Sequence, residues 1–238
     1  MRMRLLCLIH FQAILLLFNV KSTLAVLSSI TDTPSYFGGN ETDYQALLAF
    51  KTMITHDPRN VLSSWNDSLH FCQWEGVTCG HCTKPYVQRL QVLRLINNSF
   101  QGEIPANLSH CSNLKYFEVG NNNLSGSIPM EFASLSKLVE FYAHKNYLTR
   151  GIPPSIGNLS SLHYLSLTYN VLEGQIPNAL GQLRSIEFLA LGGNKLSGLI
   201  PSSLYNLSSM TTFSLGINEL SGSLPIDLFV TLPNLQRL

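Results

Sequence analysis

The sequence predicts an α/β repeat solenoid, with parallel strands along one face and a helical cap over its N-terminal end. Three observations predict it. Six asparagines, Asn98, Asn122, Asn146, Asn170, Asn194 and Asn218, recur 24 residues apart without a slip. Each sits at the same place in one pattern of apolar residues. A stretch with helical start signals and both tryptophans, Trp65 and Trp74, precedes the repeats. A fixed period of this size marks units that cannot bury an apolar face alone, so neighbours must stack into one continuous array.

In chain order, the first element is a targeting segment. Arg2 and Arg4 precede an apolar stretch from Leu5 to Val20, and small residues follow at Ser22 to Ala25. The stretch is interrupted by His10 and Gln12 and falls short of the ~20 residues a membrane span needs, so residues 1–25 read as a secretory signal peptide. No later apolar run is long enough to span, which predicts a secreted chain, extracellular in location. Residues 26–41 are expected to form a flexible segment. Thr42-x-x-Gln45 is a capping-box start for a helix carrying Ala46, Leu47, Leu48, Phe50 and Ile54, and a second short helix is expected after Pro58. Residues 42–86 would thus form the cap that a solenoid needs over its first coil.

Residues 87–238 hold about six repeats and the start of a seventh at Leu235 to Leu238. Counting from each Asn, the positions five and three before it are apolar (Leu93 and Leu95, Phe117 and Val119, and so on), with other residues between. Apolar residues two apart make a short strand with one buried face. Two after the Asn stands Leu or Phe, then Gly in five of six repeats, then an aliphatic–Pro pair beginning at Ile104, Ile128, Ile152, Ile176, Ile200 and Leu224. Proline cannot donate to a ladder, so it turns the chain onto the outer side. The Asn column itself is expected to be structural: an unpaired amide in an apolar stack costs roughly 1–3 kcal/mol. An Asn with donors and an acceptor can instead bind backbone groups freed at the strand end, in its own coil and the next.

The unit Leu-x-x-Leu-x-Leu-x-x-Asn-x-Leu-x-Gly-x-Ile-Pro, seen from Leu162 to Pro177, resembles the plant extracellular leucine-rich repeat, and the Gly-x-Ile-Pro element marks the plant type. The stretch from Asp43 through Trp65 and the run Cys72 to Cys79 resembles the N-terminal cap of plant leucine-rich-repeat receptor-like kinases. The resemblance implies a right-handed superhelix with parallel strands on its concave face, a Cys72–Cys79 disulfide, and the start of an ectodomain whose parent carries a membrane helix and a serine/threonine kinase domain, placing it at the plasma membrane. Two departures stand out. Arg150 occupies the Gly position of the third repeat, where an altered outer turn is expected, and residues 81–89 are irregular where family repeats begin; a coil missing there would leave the cap poorly docked.

The cysteines beyond the signal, Cys72, Cys79, Cys82 and Cys111, allow three pairings. Cys111 falls in a column filled by Leu135, Leu159, Leu183 and Leu207, which predicts a core position and leaves Cys82 either unpaired or reaching Cys111. Zinc at Cys79-x-x-Cys82 with His70, His81 or His110 is the weaker reading, because no second pair with ligand spacing follows. Secretion gives meaning to seven Asn-x-Ser/Thr sites, at Asn40, Asn66, Asn97, Asn107, Asn123, Asn158 and Asn206. Asn97 and Asn123 flank ladder positions, and glycans there are expected to mask part of the inner surface.

Enzyme chemistry finds no foothold. Only 12% of residues are charged and the formal charge is +1, with no convergent acids and nucleophiles, phosphate loop or kinase signature, so no catalytic residue, cofactor or metal is assigned. A near-neutral chain also lacks the basic face that nucleic acid requires. What remains is the solvent side of the strands. Tyr116, Glu118, Tyr142, His144, Tyr164 and Phe188 project there, and aromatic side chains favour binding hot spots. These residues are the expected site for an extracellular peptide or protein ligand, in signalling or defence, with a leucine-rich-repeat co-receptor implied by the resemblance. Two alternatives are a soluble apoplastic inhibitor of cell-wall hydrolases and a truncated product without function.

Overall fold

The computed structural model describes residues 40–80 and 88–238. The stretch read as a signal peptide, residues 26–39 of the segment expected to follow it, His81 and Cys82 lie outside the described residues. The chain runs α1 (Glu41–Met53), β1 (Ile54–His56), β2 (Val77–Gly80), β3 (Arg89–Arg94), β4 (Gln101–Glu103), β5 (Tyr116–Glu118), β6 (Asn123–Ser125), β7 (Glu140–Tyr142), β8 (Tyr164–Ser166), β9 (Glu173–Gln175), β10 (Phe188–Ala190), β11 (Lys195–Leu199), β12 (Thr212–Ser214), β13 (Glu219–Ser221) and α2 (Leu228–Thr231). The strands of the six repeats pair in parallel, one per coil, in the order β3-β5-β7-β8-β10-β12. Their register follows the repeat: Leu93 faces Phe117, Phe117 faces Phe141, and Leu165 faces Leu189. After the Pro of each of the first five repeats a 3-10 turn, such as Pro154–Asn158, covers the opposite side of the core, and in the sixth α2 takes that place.

The Asn column behaves as a ladder, and its direction is the reverse of the one expected. Each Asn reaches the preceding coil rather than the next. Asn146 Oδ1 accepts the Leu124 N–H at 2.9 Å, while its Nδ2 donates to Val119 O at 3.0 Å and to Ala143 O in its own coil at 3.2 Å. Asn122, Asn170, Asn194 and Asn218 repeat this pattern. Among the described residues the side chain of Asn98, in the first coil, bonds only its own Ile96 O, while the Asn98 N–H donates to Asn122 Oδ1. The residue before each ladder Asn has positive φ: Asn97, Asn121, Lys145, Tyr169, Gly193 and Ile217. That corner points the Asn inward, and the sequence signals it only at Gly193 and the two asparagines, the residue types that favour the left-handed region.

The cap docks by devices the sequence reading missed. Asp43, fully buried on α1, accepts Nε and Nη2 of Arg89 at 2.8 and 3.1 Å and the Leu90 N–H at 2.8 Å, so one carboxylate ties the helix to the first repeat strand. The second tie is β2, which joins the sheet antiparallel to β3. Trp65 and Trp74, stacked at 5.3 Å, fill the space between, with Trp65 Nε1 donating to Glu75 O. The cap is thereby tied to the first repeat strand. The capping box does not form: the helix starts two residues earlier, Asn40 rather than Thr42 occupies the N-cap without a side-chain cap bond, and Gln45 instead donates to Glu41. The short helix expected after Pro58 is a 3-10 turn at Val61–Ser64.

Outer strands form a second set of pairings, β1-β4-β6 and β9-β11-β13. The gap between them falls in the third repeat, at Arg150. Glycines at this place have positive φ in the other repeats, and Arg150 is held at φ 63°. An L side chain strains that turn, so backbone bonds such as Thr149 N to Gly126 O persist but no strand forms.

Candidate ligand-binding face

The six predicted site residues lie on the parallel sheet, and ladder register decides which meet. Tyr116, Glu140, Tyr164 and Phe188 are consecutive partners along one row, and Arg94, Glu118 and Tyr142 along the next. Neighbouring strands stand about 4.8 Å apart, so these side chains form a nearly continuous surface. Tyr116, Tyr142, His144, Tyr164 and Phe188 are all half-buried, with part of each ring open to solvent.

Polar partners change the character of several of them. Glu118 is 8% exposed, and its carboxylate takes Nε and Nη2 of Arg94 at 2.8 and 2.7 Å. The surface there presents Arg94, whose side chain is 58% exposed, rather than Glu118. Glu118 in turn pushes the Arg94 guanidinium above its usual range. Tyr164 donates its hydroxyl to Glu187 Oε2 at 2.9 Å, and this bond raises the phenol's pKa. Tyr142 is pushed up to about 12, first by burial and then by the charge of Glu140. His144 packs edge-on to Tyr142 and lies over Gly120; a Cβ at Gly120 would stand 2.4 Å from the imidazole Cε1. Burial, then Lys145, holds His144 below the ordinary imidazole range. Arg94, Glu140 and Glu187 join the face although the residue-type argument did not select them; the register columns would have found the first two.

Cys72 and Cys79 are disulfide-bonded with Cα atoms 5.5 Å apart, and Cys111 is a free, fully buried thiol whose pKa burial raises strongly. Among the described residues no cluster of His, Cys, Asp and Glu could hold a metal ion, and no helix is long and apolar enough to cross a membrane. Of the sequons, Asn66, Asn97, Asn107, Asn158 and Asn206 are exposed. Asn40 is 7% exposed, with its carboxamide against the His70 ring, so the folded cap leaves no room for a glycan there. Asn123 opens β6 and lines an open groove of about 710 Å³ with Thr52, Gln101 and Tyr147. A glycan on Asn123 would therefore cover the second sheet and not the concave columns, contrary to expectation.

Residues 40–80 match the leucine rich repeat N-terminal domain, and residues 89–111, 113–135, 161–183 and 185–207 match the leucine rich repeat. A chain of the BIR3–SERK2 complex from Arabidopsis thaliana is 34% identical, with a TM-score of 0.66, covering 76% of this chain and 96% of that one. This chain belongs to the leucine-rich-repeat ectodomain family of plant receptor kinases. Of the six repeats the third, which carries Arg150, and the sixth fall outside these matches. The Arabidopsis HAESA ectodomain, solved with an N-terminally extended IDA peptide hormone, superposes with a TM-score of 0.74 at 32% identity over 84% of this chain and 33% of its own. The LRR receptor-like serine/threonine-protein kinase EFR of Arabidopsis is 38% identical over 97 residues, 32% of this chain and 9% of that protein. This chain thus aligns with under a tenth of that kinase's length.

Proposed function

We propose that this ectodomain is the extracellular recognition part of a receptor kinase, taking an extended peptide or protein segment along Tyr116, Tyr142, His144, Tyr164 and Phe188. A second leucine-rich-repeat ectodomain is the co-receptor in this reading. The observation that carries it is the in-register surface of half-buried rings. A core residue of a repeat is apolar in every coil, whereas these rows change residue type from coil to coil and keep ring faces open to water. Aromatic anchors of this kind concentrate binding energy. Related ectodomains support the reading, since one is solved with a peptide hormone and another in a complex of two such proteins. The test pans a displayed library of random dodecapeptides on the secreted chain. Retained peptides should lose at least tenfold in affinity against Tyr142→Ala and Tyr164→Ala variants that still melt cooperatively. Peptides indifferent to both changes would refute the assignment.

A further inference from the structure

Most of the charge on the concave face is already matched within the fold. Arg94 and Glu118 neutralise each other in a two-point pair, and Glu187 accepts the Tyr164 hydroxyl. Glu140 differs. Among the described residues it has no ion pair and no side-chain hydrogen bond, although it is half-buried. Its register partners on the two sides are Tyr116 and Tyr164, and Tyr142 follows two residues on along the same face of β7. A carboxylate set about 4.8 Å from a strand bearing a tyrosine on either side, with Arg94 offsetting its charge only in part and without a bond, is an open position between aromatic walls.

We infer that Glu140, walled by Tyr116, Tyr142 and Tyr164, is the seat for one cationic side chain, arginine or lysine, of the peptide bound along this face. The inference rests on the concave-face reading above and adds the chemistry of one ligand position. A guanidinium fits the walls because ring faces attract cations, and it fits the floor because a carboxylate gives it a charge-assisted hydrogen bond. Arg94 does not fill the seat, since its fork is held by both oxygens of Glu118. Burial, and then the charge of Glu118, raises the Glu140 carboxyl above its usual range, so the free face holds this charge at a cost that a bound cation would relieve.

The experiment uses the peptides retained in the panning described above. They should share an arginine or lysine at one position. In a synthetic representative, replacing that residue by glutamine should weaken binding to the wild-type chain at least tenfold. The same replacement should change binding to the Glu140→Gln variant less than twofold, with that variant melting no lower than wild type. Peptides that depend on Tyr142 and Tyr164 but share no basic residue would overturn the inference and leave the concave-face reading intact. A shared basic residue whose loss costs the same on Glu140→Gln would also overturn it. Peptides indifferent to Tyr142→Ala and Tyr164→Ala, or none retained at all, would overturn the concave-face reading and this inference with it.

Discussion

The Asn ladder and the concave rows repeat with the same period, and they differ in almost every physical respect. Asn122, Asn146, Asn170 and Asn194 are buried, and their donors and acceptors are all used. In the row Tyr116, Glu140, Tyr164, Phe188, the residue type changes at each coil, side chains stay partly wet, and one carboxylate has no bonded partner among the described residues. In a stacked array, a residue that never varies is answering a demand made by the neighbouring coil. One that varies under identical backbone geometry answers to something outside the fold.

The largest effect should come from breaking the ladder. Asn146→Leu leaves the Leu124 N–H buried without its partner, at about 1–3 kcal/mol, and takes one of two amide donors from the Val119 carbonyl, which keeps Asn122 Nδ2. A loss of roughly 2 kcal/mol should lower the melting temperature by about 4–8 °C in a thermal scan. By contrast, Tyr142→Ala or Tyr164→Ala should each cost no more than about 1 kcal/mol, because the rings are half-exposed. Equal destabilisation at the two kinds of position would erase the distinction.

Backbone corners sharpen the comparison in the opposite direction. Arg150 and Ile217 hold left-handed φ values of 63° and 58° where glycine is at ease. Arg150→Gly and Ile217→Gly should each stabilise by about 1 kcal/mol, less whatever the freer unfolded chain takes back, as denaturant midpoints would show.

The smallest effects are titrations on the concave face. Burial depresses the His144 pKa, so as pH falls through about 6.5 the unfolded chain binds the proton first and stability declines; His144→Gln should remove that decline from melting curves between pH 7 and 5. Glu140 has the opposite sign. Its raised pKa makes the protein more stable when the carboxyl is protonated, an advantage lost as pH rises, so Glu140→Gln should raise the melting temperature slightly at pH 7 and not at pH 4.

What was legible in the sequence follows the same division. The strands, the outer turns, the buried Cys111 and the concave rows could be counted off from the Asn period, because stacking forces every coil to reuse one backbone path. The altered third turn was visible as Arg150 in a glycine column. Non-repeating features were hidden: the Asp43 clamp joins residues 46 positions apart, and nothing local marks Asp43 as different from a surface acid. Glu118 looked available for the same reason, since its pairing with Arg94 depends on side chains one coil apart. The capping box failed because the helix begins at Glu41, which puts Thr42 inside its first turn rather than at the cap.

The most direct test is an alanine scan of Tyr116, Tyr142, His144 and Tyr164, each variant measured for melting temperature and for affinity towards the panned peptides. The account predicts cooperative melting within a few degrees of wild type, with affinity falling tenfold or more for at least Tyr142 and Tyr164. Wild-type affinity across all four variants would contradict it.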